Sequence, residues 1–248
     1  MQAGNLKYKV NYPWLFIFSI SMGLLEAIVV VYLRESYYPE GFQFPLKLLP
    51  ERLVYIEIIR EVCTITMLGA VAFLSGKTKL QRLSCFLFTF GVWDIFYYLG
   101  LKVFLNWPAS LLTWDILFFI PVIWTGPVLA PLISSVIMIL MALLFEQSEA
   151  RGRLEALRWT ELLLVFAGAV AIYTSFSYDI GMLIIRGKYL SKLLTLAGDP
   201  EFQSALASYV PAQFQWEVFA FGILLVLIGA GLVLRRVVKA KRRGATGG

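Results

Sequence analysis

The sequence predicts an all-α protein that crosses a membrane several times. Of its 248 residues, 59% are hydrophobic and only 15% are charged, whereas soluble domains carry about 25% charged residues. The apolar residues are gathered into runs of about 20, the length of helix that crosses a bilayer. These observations predict a single polytopic helical bundle over residues 1–248, which ends in a basic tail at 235–248.

Six segments have the length and the low polarity that a membrane span requires. They are 14–33, 53–75, 83–104, 127–146, 159–177 and 217–234. Each is predicted to be helical, because lipid cannot satisfy free backbone N–H and C=O groups. Six spans place both termini on the same side of the membrane.

The distribution of basic residues predicts which side that is. If the N-terminus is inside, the inner segments carry 14 Lys and Arg residues and the outer segments carry seven. The inside-positive rule therefore predicts a bacterial-type inner (plasma) membrane protein whose N- and C-termini are both cytoplasmic. The basic tail is also compatible with contact to anionic lipid head groups, and we do not expect nucleic acid as a partner.

One apolar region does not fit a simple span. Residues 109–145 are too many for one span and too few for two spans and a turn. Three prolines interrupt this region: Pro121, Pro127 and Pro131. Because proline breaks or kinks a helix, we expect a full span after Pro127 and a short helix over 109–124. That helix is either a re-entrant segment that dips into the membrane or an interfacial helix anchored by tryptophans.

The longest outer segment, 178–215, predicts an amphipathic helix in the outer loop. Apolar and basic residues alternate between Met182 and Leu194, a pattern typical of helices that lie on a membrane surface. A second short helix is expected from about Pro200 to Tyr209.

Acidic residues within the spans are the strongest functional signal in the sequence. Glu26, Glu61 and Asp94 belong to three different spans, and the rise of a helix places each roughly 10–15 Å below the outer end of its span. Asp115 reaches a similar depth if 109–124 dips. A charge that faces lipid at this depth is costly. We therefore expect these acids to meet in one inward-facing pocket.

The second span carries a complete polar face. Glu57, Arg60, Glu61 and Thr64 follow i, i+3, i+4 and i+7 spacing, so they share one side of the helix. A structural interpretation is an ion pair between Arg60 and either Glu57 or Glu61 that locks the bundle.

The balance of charge limits that interpretation. The five embedded acids, Glu57 included, face one embedded arginine, Arg60. Two further bases, Arg34 and Lys102, lie near the outer edge and could reach inward by extending along the apolar surface. Acids in excess of bases either bind protons or attract a cation. The pattern therefore favours a polar site that binds or moves positive charge.

Aromatic residues accompany the acids. Tyr97 and Tyr98 follow Asp94 by one helical turn and share its face, and we expect them to bind the same ligand or proton. Trp93 and Trp114 are expected to form the walls of the cavity, and the rings of Trp93, Tyr97 and Tyr98 would add cation–π attraction to an organic ammonium.

Three functions follow from these features. The first is binding or translocation of a proton, a metal cation or a small cationic solute, for which Glu26, Glu61 and Asp94 would supply oxygen ligands suited to calcium, magnesium or manganese. The second is a non-catalytic subunit of a larger membrane complex. The third is an intramembrane lipid-modifying enzyme that uses the carboxylates as acid and base. No motif decides whether the protein is an enzyme, and no catalytic residue is assigned.

The sequence also limits the cofactors. It contains no histidine, which excludes His-ligated haem and His-based zinc sites, and we predict no cofactor. The expected partners are membrane lipid, a cation or small solute, and other subunits of a membrane complex.

Overall fold

The computed structural model describes residues 10–150 and 157–246, which form seven α-helices, one 3-10 helix and a two-stranded hairpin. In chain order the elements are α1 (Tyr12–Tyr37), α2 (Glu51–Ser75), α3 (Lys79–Leu105), β1 (Trp114–Phe118), β2 (Trp124–Pro127), α4 (Leu129–Ala150), α5 (Trp159–Arg186), the 3-10 helix (Tyr189–Gly198), α6 (Pro200–Ala207) and α7 (Trp216–Thr246). All helices except α6 and the 3-10 helix are long and apolar enough to cross a membrane, which confirms the six predicted apolar spans.

Two further predictions concern the basic tail and the orientation of the chain. The last helix, α7, continues as far as Thr246, so the described part of the basic tail prolongs the last span. Four basic residues that contribute to the predicted orientation lie outside the described residues: Lys7, Lys9, Arg151 and Arg153.

The helices pack in two groups. In the first group α3 is central, and α1, α2 and α4 each pack on it rather than on one another. The second group is the pair α5 and α7, which touches α4 chiefly through α7. Apolar side chains fill the junction, including Phe145 of α4 together with Val226 and Val233 of α7. This arrangement leaves α2 and α5 on opposite sides of a gap.

Glycine allows close backbone contacts between helices, and one of them joins α5 to α7. A Cβ placed on Gly168 of α5 would lie 2.6 Å from the carbonyl oxygen of Gly222 on α7. A Cβ on Gly222 would likewise lie 2.8 Å from the carbonyl oxygen of Gly168. Both distances are too short for any residue larger than glycine. In a membrane, where helices gain little from the hydrophobic effect, such backbone proximity provides much of the association energy.

The region 109–124 is not the helix that the sequence predicted. It forms an antiparallel hairpin in which β1 pairs with β2, and Asp115 lies opposite Gly126. The residues are mainly β-branched and aromatic, which fit a pleated ribbon, and Pro121 lies in the connection between the strands, where its missing N–H breaks no strand pairing. The apolar content of this region predicts burial equally well for a strand or a helix.

The outer segment also differs from the prediction. No amphipathic helix runs from Met182 to Leu194, because α5 continues past the predicted end of its span to Arg186, and a 3-10 helix follows. The acidic residue within this extension, Asp179, accepts a hydrogen bond from the Tyr209 hydroxyl at 2.7 Å. The second short helix is confirmed as α6, whose N-cap residue Asp199 accepts hydrogen bonds from backbone N–H groups of its first turn.

The Gly168–Gly222 contact leads to a stability prediction. Gly168→Leu should destabilise the protein by about 1–3 kcal/mol or more, because the new side chain has no space against α7. Thermal unfolding in detergent measures the effect. Gly231→Leu on α7 is the matched control, since a Cβ there meets no atom within 4 Å. Equal melting temperatures for the two variants would contradict the close contact.

Candidate functional site

A cavity of about 740 Å³ lies between α2, α3 and α4 on one side and α5 on the other. Such a volume lies within the range of small-molecule sites, about 300–1,000 Å³. Its polar end is lined by nine side chains: Glu26, Glu57, Glu61, Asp94, Asp115, Arg34, Arg60, Tyr97 and Tyr98. The remainder, which we call the apolar limb, is lined chiefly by side chains of α3, α4, α5 and α7, among them Leu87, Met141, Val165, Ala169, Ile172 and Val226.

Three helices bring acids to the polar end at one level. Glu26 lies 11 residues before the end of α1, Glu61 lies 10 residues after the start of α2, and Asp94 lies 11 residues before the end of α3. These three helix ends are on the same side of the bundle, so each acid lies roughly 16 Å from that side. All three side chains are buried.

Arg60 joins two of the helices through their acids. Its guanidinium contacts the Glu26 carboxylate of α1 and binds Glu57 of its own helix, with Nη2 at 2.7 Å and Nε at 2.8 Å from Oε2. The Thr64 hydroxyl donates to the other oxygen of Glu26 at 3.1 Å. Because α1 and α2 pack on α3 rather than on each other, this polar network is the principal link between them within the described residues.

Glu61 binds the hairpin rather than Arg60. The backbone N–H of Phe119 donates to both of its carboxylate oxygens at 2.9 Å. Phe119 directly follows β1, so α2 is tied through Glu61 to the connection between the two strands. A carboxylate that accepts a backbone N–H in this way satisfies a donor that lipid would leave unpaired.

The hairpin contributes the fifth acid, Asp115. Arg34 of α1 donates to its Oδ1 at 2.7 Å, and both side chains are buried. The Tyr98 hydroxyl lies beside the same carboxylate but makes no hydrogen bond to it. The Arg34 guanidinium also lies over the rings of Phe42 and Trp107, at 4.5 and 3.9 Å from their centroids.

Asp94, like Glu61, has no cation within ion-pair distance among the described residues. Its Oδ2 accepts a hydrogen bond from the Ser135 hydroxyl of α4 at 2.7 Å, and it is buried. Ser135 is not among the residues that the sequence predicts for the site. A single hydroxyl in an apolar helix carries little sequence signal, so its role as a partner of Asp94 emerges only from the packing of α3 on α4.

An aromatic belt surrounds the cavity next to the polar end. It consists of Phe90, Trp93 and Tyr97 from α3, Phe118 and Trp124 from the hairpin, and Tyr173 and Phe176 from α5. Successive rings are in contact: Phe118 lies 6.1 Å from Trp93 and 5.6 Å from Trp124, and Trp124 stacks on Phe176 at 6.0 Å. The hairpin therefore connects the two helix groups through its aromatic side chains.

Several buried polar atoms on the wall of the cavity have no hydrogen-bond partner among the described residues. Apart from Arg60 Nη1, which contacts Glu26, the donors are the indole Nε1 groups of Trp93 and Trp124, the Nη1 group of Arg34 and the Tyr98 hydroxyl, and the acceptor is Oδ2 of Asp115. Trp93 is only 4% exposed and Arg34 only 7%. Buried donors are rarely left unpaired in native proteins without a bound molecule or water nearby.

The segment between α1 and α2 also lines the cavity, through Tyr38 and Phe42, as do Leu196 of the 3-10 helix and Phe202 of α6. The Tyr38 hydroxyl accepts a hydrogen bond from the Lys47 N–H at 2.8 Å. Burial raises the pKa of Tyr38 above its ordinary value, so this hydroxyl is neutral over the physiological range.

The acids considered as metal ligands are held by separate partners. Among residues 10–150 and 157–246, no three His, Cys, Asp or Glu side chains are placed to hold a metal ion together. Glu26 binds Arg60, Glu61 binds the hairpin backbone and Asp94 binds Ser135.

The structure brings together all eight residues predicted for the ligand or proton site, and Trp93 lines the cavity beside them. Trp114 does not. Side chains alternate along a strand, so Asp115 turns toward Arg34 while Trp114 packs against Phe214, 6.1 Å away. Lys102 does not reach inward either, because its Nζ donates to the carbonyl groups of Asn106 and Pro108.

Six apolar helices and a buried polar centre between them are the features of a multi-pass membrane protein, and the chain is compatible with that class. Comparison with protein-family models, curated proteins and solved structures finds no match to this chain. Its site is therefore interpreted from its own side chains.

The Arg34–Asp115 pair yields a second prediction. Arg34→Met should destabilise the protein by about 3–5 kcal/mol, because it leaves the Asp115 charge buried without a partner. Adding Asp115→Asn should restore much of the loss, since the uncompensated charge is then absent. Thermal unfolding of the two single variants and the double variant measures the coupling; strictly additive losses would contradict the pair.

Proposed function

We propose that the protein binds a lipid-like amphiphile in the cavity, with the polar group of that molecule at the acid-rich end and its apolar chain along the limb. The observation that carries this proposal is the composition of one continuous cavity, whose walls are predominantly apolar but which ends at five acids and two arginines. A small hydrated ion would not contact most of these apolar walls. An amphiphile would contact the apolar walls with its chain and the polar end with its polar group.

The length of the cavity fits a long chain. On α5 the lining residues run from Leu162 to Ile184, which corresponds to roughly 33 Å of helix. The hydrocarbon core of a bilayer is about 30 Å thick. A molecule lying along this wall would therefore be parallel to the surrounding lipid chains, and it would need little rotation to enter from the bilayer.

The position of α2 supports entry from the side. Within the described residues α2 packs on α3, whereas α5 packs on α7, and the two helices that border the gap form no interface with each other. Both nevertheless contribute to the lining, for example through Ile58 and Phe166. In a membrane this gap would face lipid rather than water.

The hairpin would form a re-entrant element of this site. Phe119 binds Glu61, ten residues inside α2, and irregular backbone at membrane depth is tolerated where protein surrounds it. With the N- and C-termini in the cytoplasm, as the basic residues predict, the polar end would lie toward the outer face of a bacterial-type inner membrane.

A second candidate is the binding or movement of a proton, a metal cation or a small cationic solute. The observation that favours it is the excess of acids, since Arg34 and Arg60 are the two cations among the nine side chains of the polar end. Glu61 and Asp94 would act as the carriers because neither is paired with an arginine. The separate partners of the acids support a proton or an organic cation better than a metal ion.

Filling the apolar limb should remove the amphiphile. Ala169→Trp places an indole in the cavity, so the protein purified in mild detergent should retain about tenfold less of the bound amphiphile, equivalent to about 1.4 kcal/mol. Lipid extraction and mass spectrometry, normalised to protein, measure this amount.

Ala167→Trp provides the matched control for that variant. It lies two residues away on α5, is also exposed, and is not part of the cavity wall. It should retain as much amphiphile as the unmodified protein. Equal retention by both variants, or no stoichiometric amphiphile in the unmodified protein, would contradict the proposal.

The cation candidate has a separate test. If it is correct, Glu61→Gln and Asp94→Asn should each abolish proton or cation flux in proteoliposomes, because each removes a carrier charge while preserving shape. Glu217→Gln, at the start of α7 and outside the cavity, serves as the control. Unchanged flux in both cavity variants, or no flux in the unmodified protein, would reject this candidate.

A further inference from the structure

We infer that the polar end of the cavity accepts an uncharged, planar ring with carbonyl or hydroxyl oxygens, and that the amphiphile is therefore a quinone or quinol with an apolar tail. This inference rests on the proposed function and specifies its ligand. It follows from the charge of the site, from its unpaired donors and from the shape of its walls.

The charge of the site disfavours an anionic head group. Five acids and two arginines line the polar end, and Lys47 lines the cavity beside Tyr38, so the acids still outnumber the bases. Both arginines already bind carboxylates, Arg34 through Asp115 and Arg60 through Glu26 and Glu57. A phosphate or a carboxylate would add negative charge next to Glu61 and Asp94, neither of which has an arginine partner. Like charges in a poorly solvated site repel strongly.

The unpaired donors of the wall favour a head group that carries acceptors, whereas the unpaired acceptor, Asp115 Oδ2, lies beside the Tyr98 hydroxyl. The indole Nε1 atoms of Trp93 and Trp124 and the Nη1 atom of Arg34 are all donors that lack an acceptor among the described residues. An ammonium group or a metal ion cannot accept a hydrogen bond from them. Oxygen atoms of an uncharged head group can, and carbonyl oxygens of a ring provide two such acceptors on opposite sides.

The aromatic belt favours a planar head group. Trp93 and Tyr97 are nearly parallel, with an interplanar angle of 18°, and so are Trp124 and Phe176, with an angle of 14°. Phe118 lies between the two tryptophans. Flat walls of this kind stack on a flat ring at distances of roughly 4.5–7 Å between centroids, whereas a tetrahedral or branched head group contacts them poorly.

The acids then have a role that suits this class of ligand. Asp94, held by Ser135, and Glu61, held by the Phe119 N–H, lie at the same level as the belt. As carboxylic acids they can donate to a ring carbonyl, and as carboxylates they can accept from a ring hydroxyl. The site therefore provides partners for both the quinone and the quinol, with the apolar limb available for the tail.

A comparison of four ligands of matched chain length tests the inference. Protein in nanodiscs of neutral lipid is equilibrated with a benzoquinone carrying a short isoprenoid tail, a straight-chain alcohol, an alkyl ammonium or a fatty acid, and bound ligand is quantified after subtraction of empty discs. The quinone should bind saturably, with one molecule per protein, and more tightly than the other three.

Variants of the two tryptophans test the mode of binding. Trp93→Phe and Trp124→Phe keep an aromatic ring but remove the N–H donor, so each should weaken quinone binding by about 3- to 10-fold. Trp159→Phe is the control, because Trp159 is 81% exposed and lies outside the cavity wall. Melting temperatures measured on the same samples verify that all three variants are folded.

The outcomes separate the two proposals. If the alcohol, the ammonium or the fatty acid binds as tightly as the quinone, or if folded Trp93→Phe and Trp124→Phe bind the quinone as the unmodified protein does, the quinone inference is overturned and the amphiphile site remains. If none of the four ligands binds saturably, the amphiphile proposal fails and the quinone inference fails with it.

Discussion

The bundle depends on the neutralisation of buried charge between helices that share few other contacts. Arg60 on α2 contacts Glu26 on α1, although both helices pack mainly on α3. Ions removed from water are stable only when they are paired and hydrogen-bonded, so this contact fixes how far α2 stands from the rest of the protein. The width of the cavity follows from that distance, because α2 forms one of its sides.

The number and approximate positions of the spans could be predicted from the sequence, because run length and low charge report directly on burial in lipid. The meeting of Glu26, Glu61 and Asp94 could also be anticipated, since helix rise converts sequence position into depth. The hairpin could not, because a short apolar run interrupted by proline fits a strand as well as a helix. The prediction that Trp114 lines the cavity was wrong for the same reason, since a strand and a helix place neighbouring side chains on different faces.

The hairpin unites the two functional aspects of the cavity. Its backbone satisfies Glu61, its Asp115 neutralises Arg34, and its aromatic side chains meet both α3 and α5. A polar end and an aromatic belt are thus built from the same short segment. An amphiphile with an uncharged ring is compatible with both, because the acids and the unpaired donors lie next to the flat rings of the aromatic belt.

The close contact between Gly168 and Gly222 has a mechanical consequence for access to this space. Backbones that approach so closely cannot slide past or tilt away from each other without a clash or a gap, so α5 and α7 behave as one stiff unit. The helix α2 has no comparable glycine contact. It is held by packing on α3 and by the polar contacts of Arg60 and Glu61. Under the proposed function, lateral access to the cavity would require α2 to move, and the contacts of Arg60 and Glu61 oppose that movement.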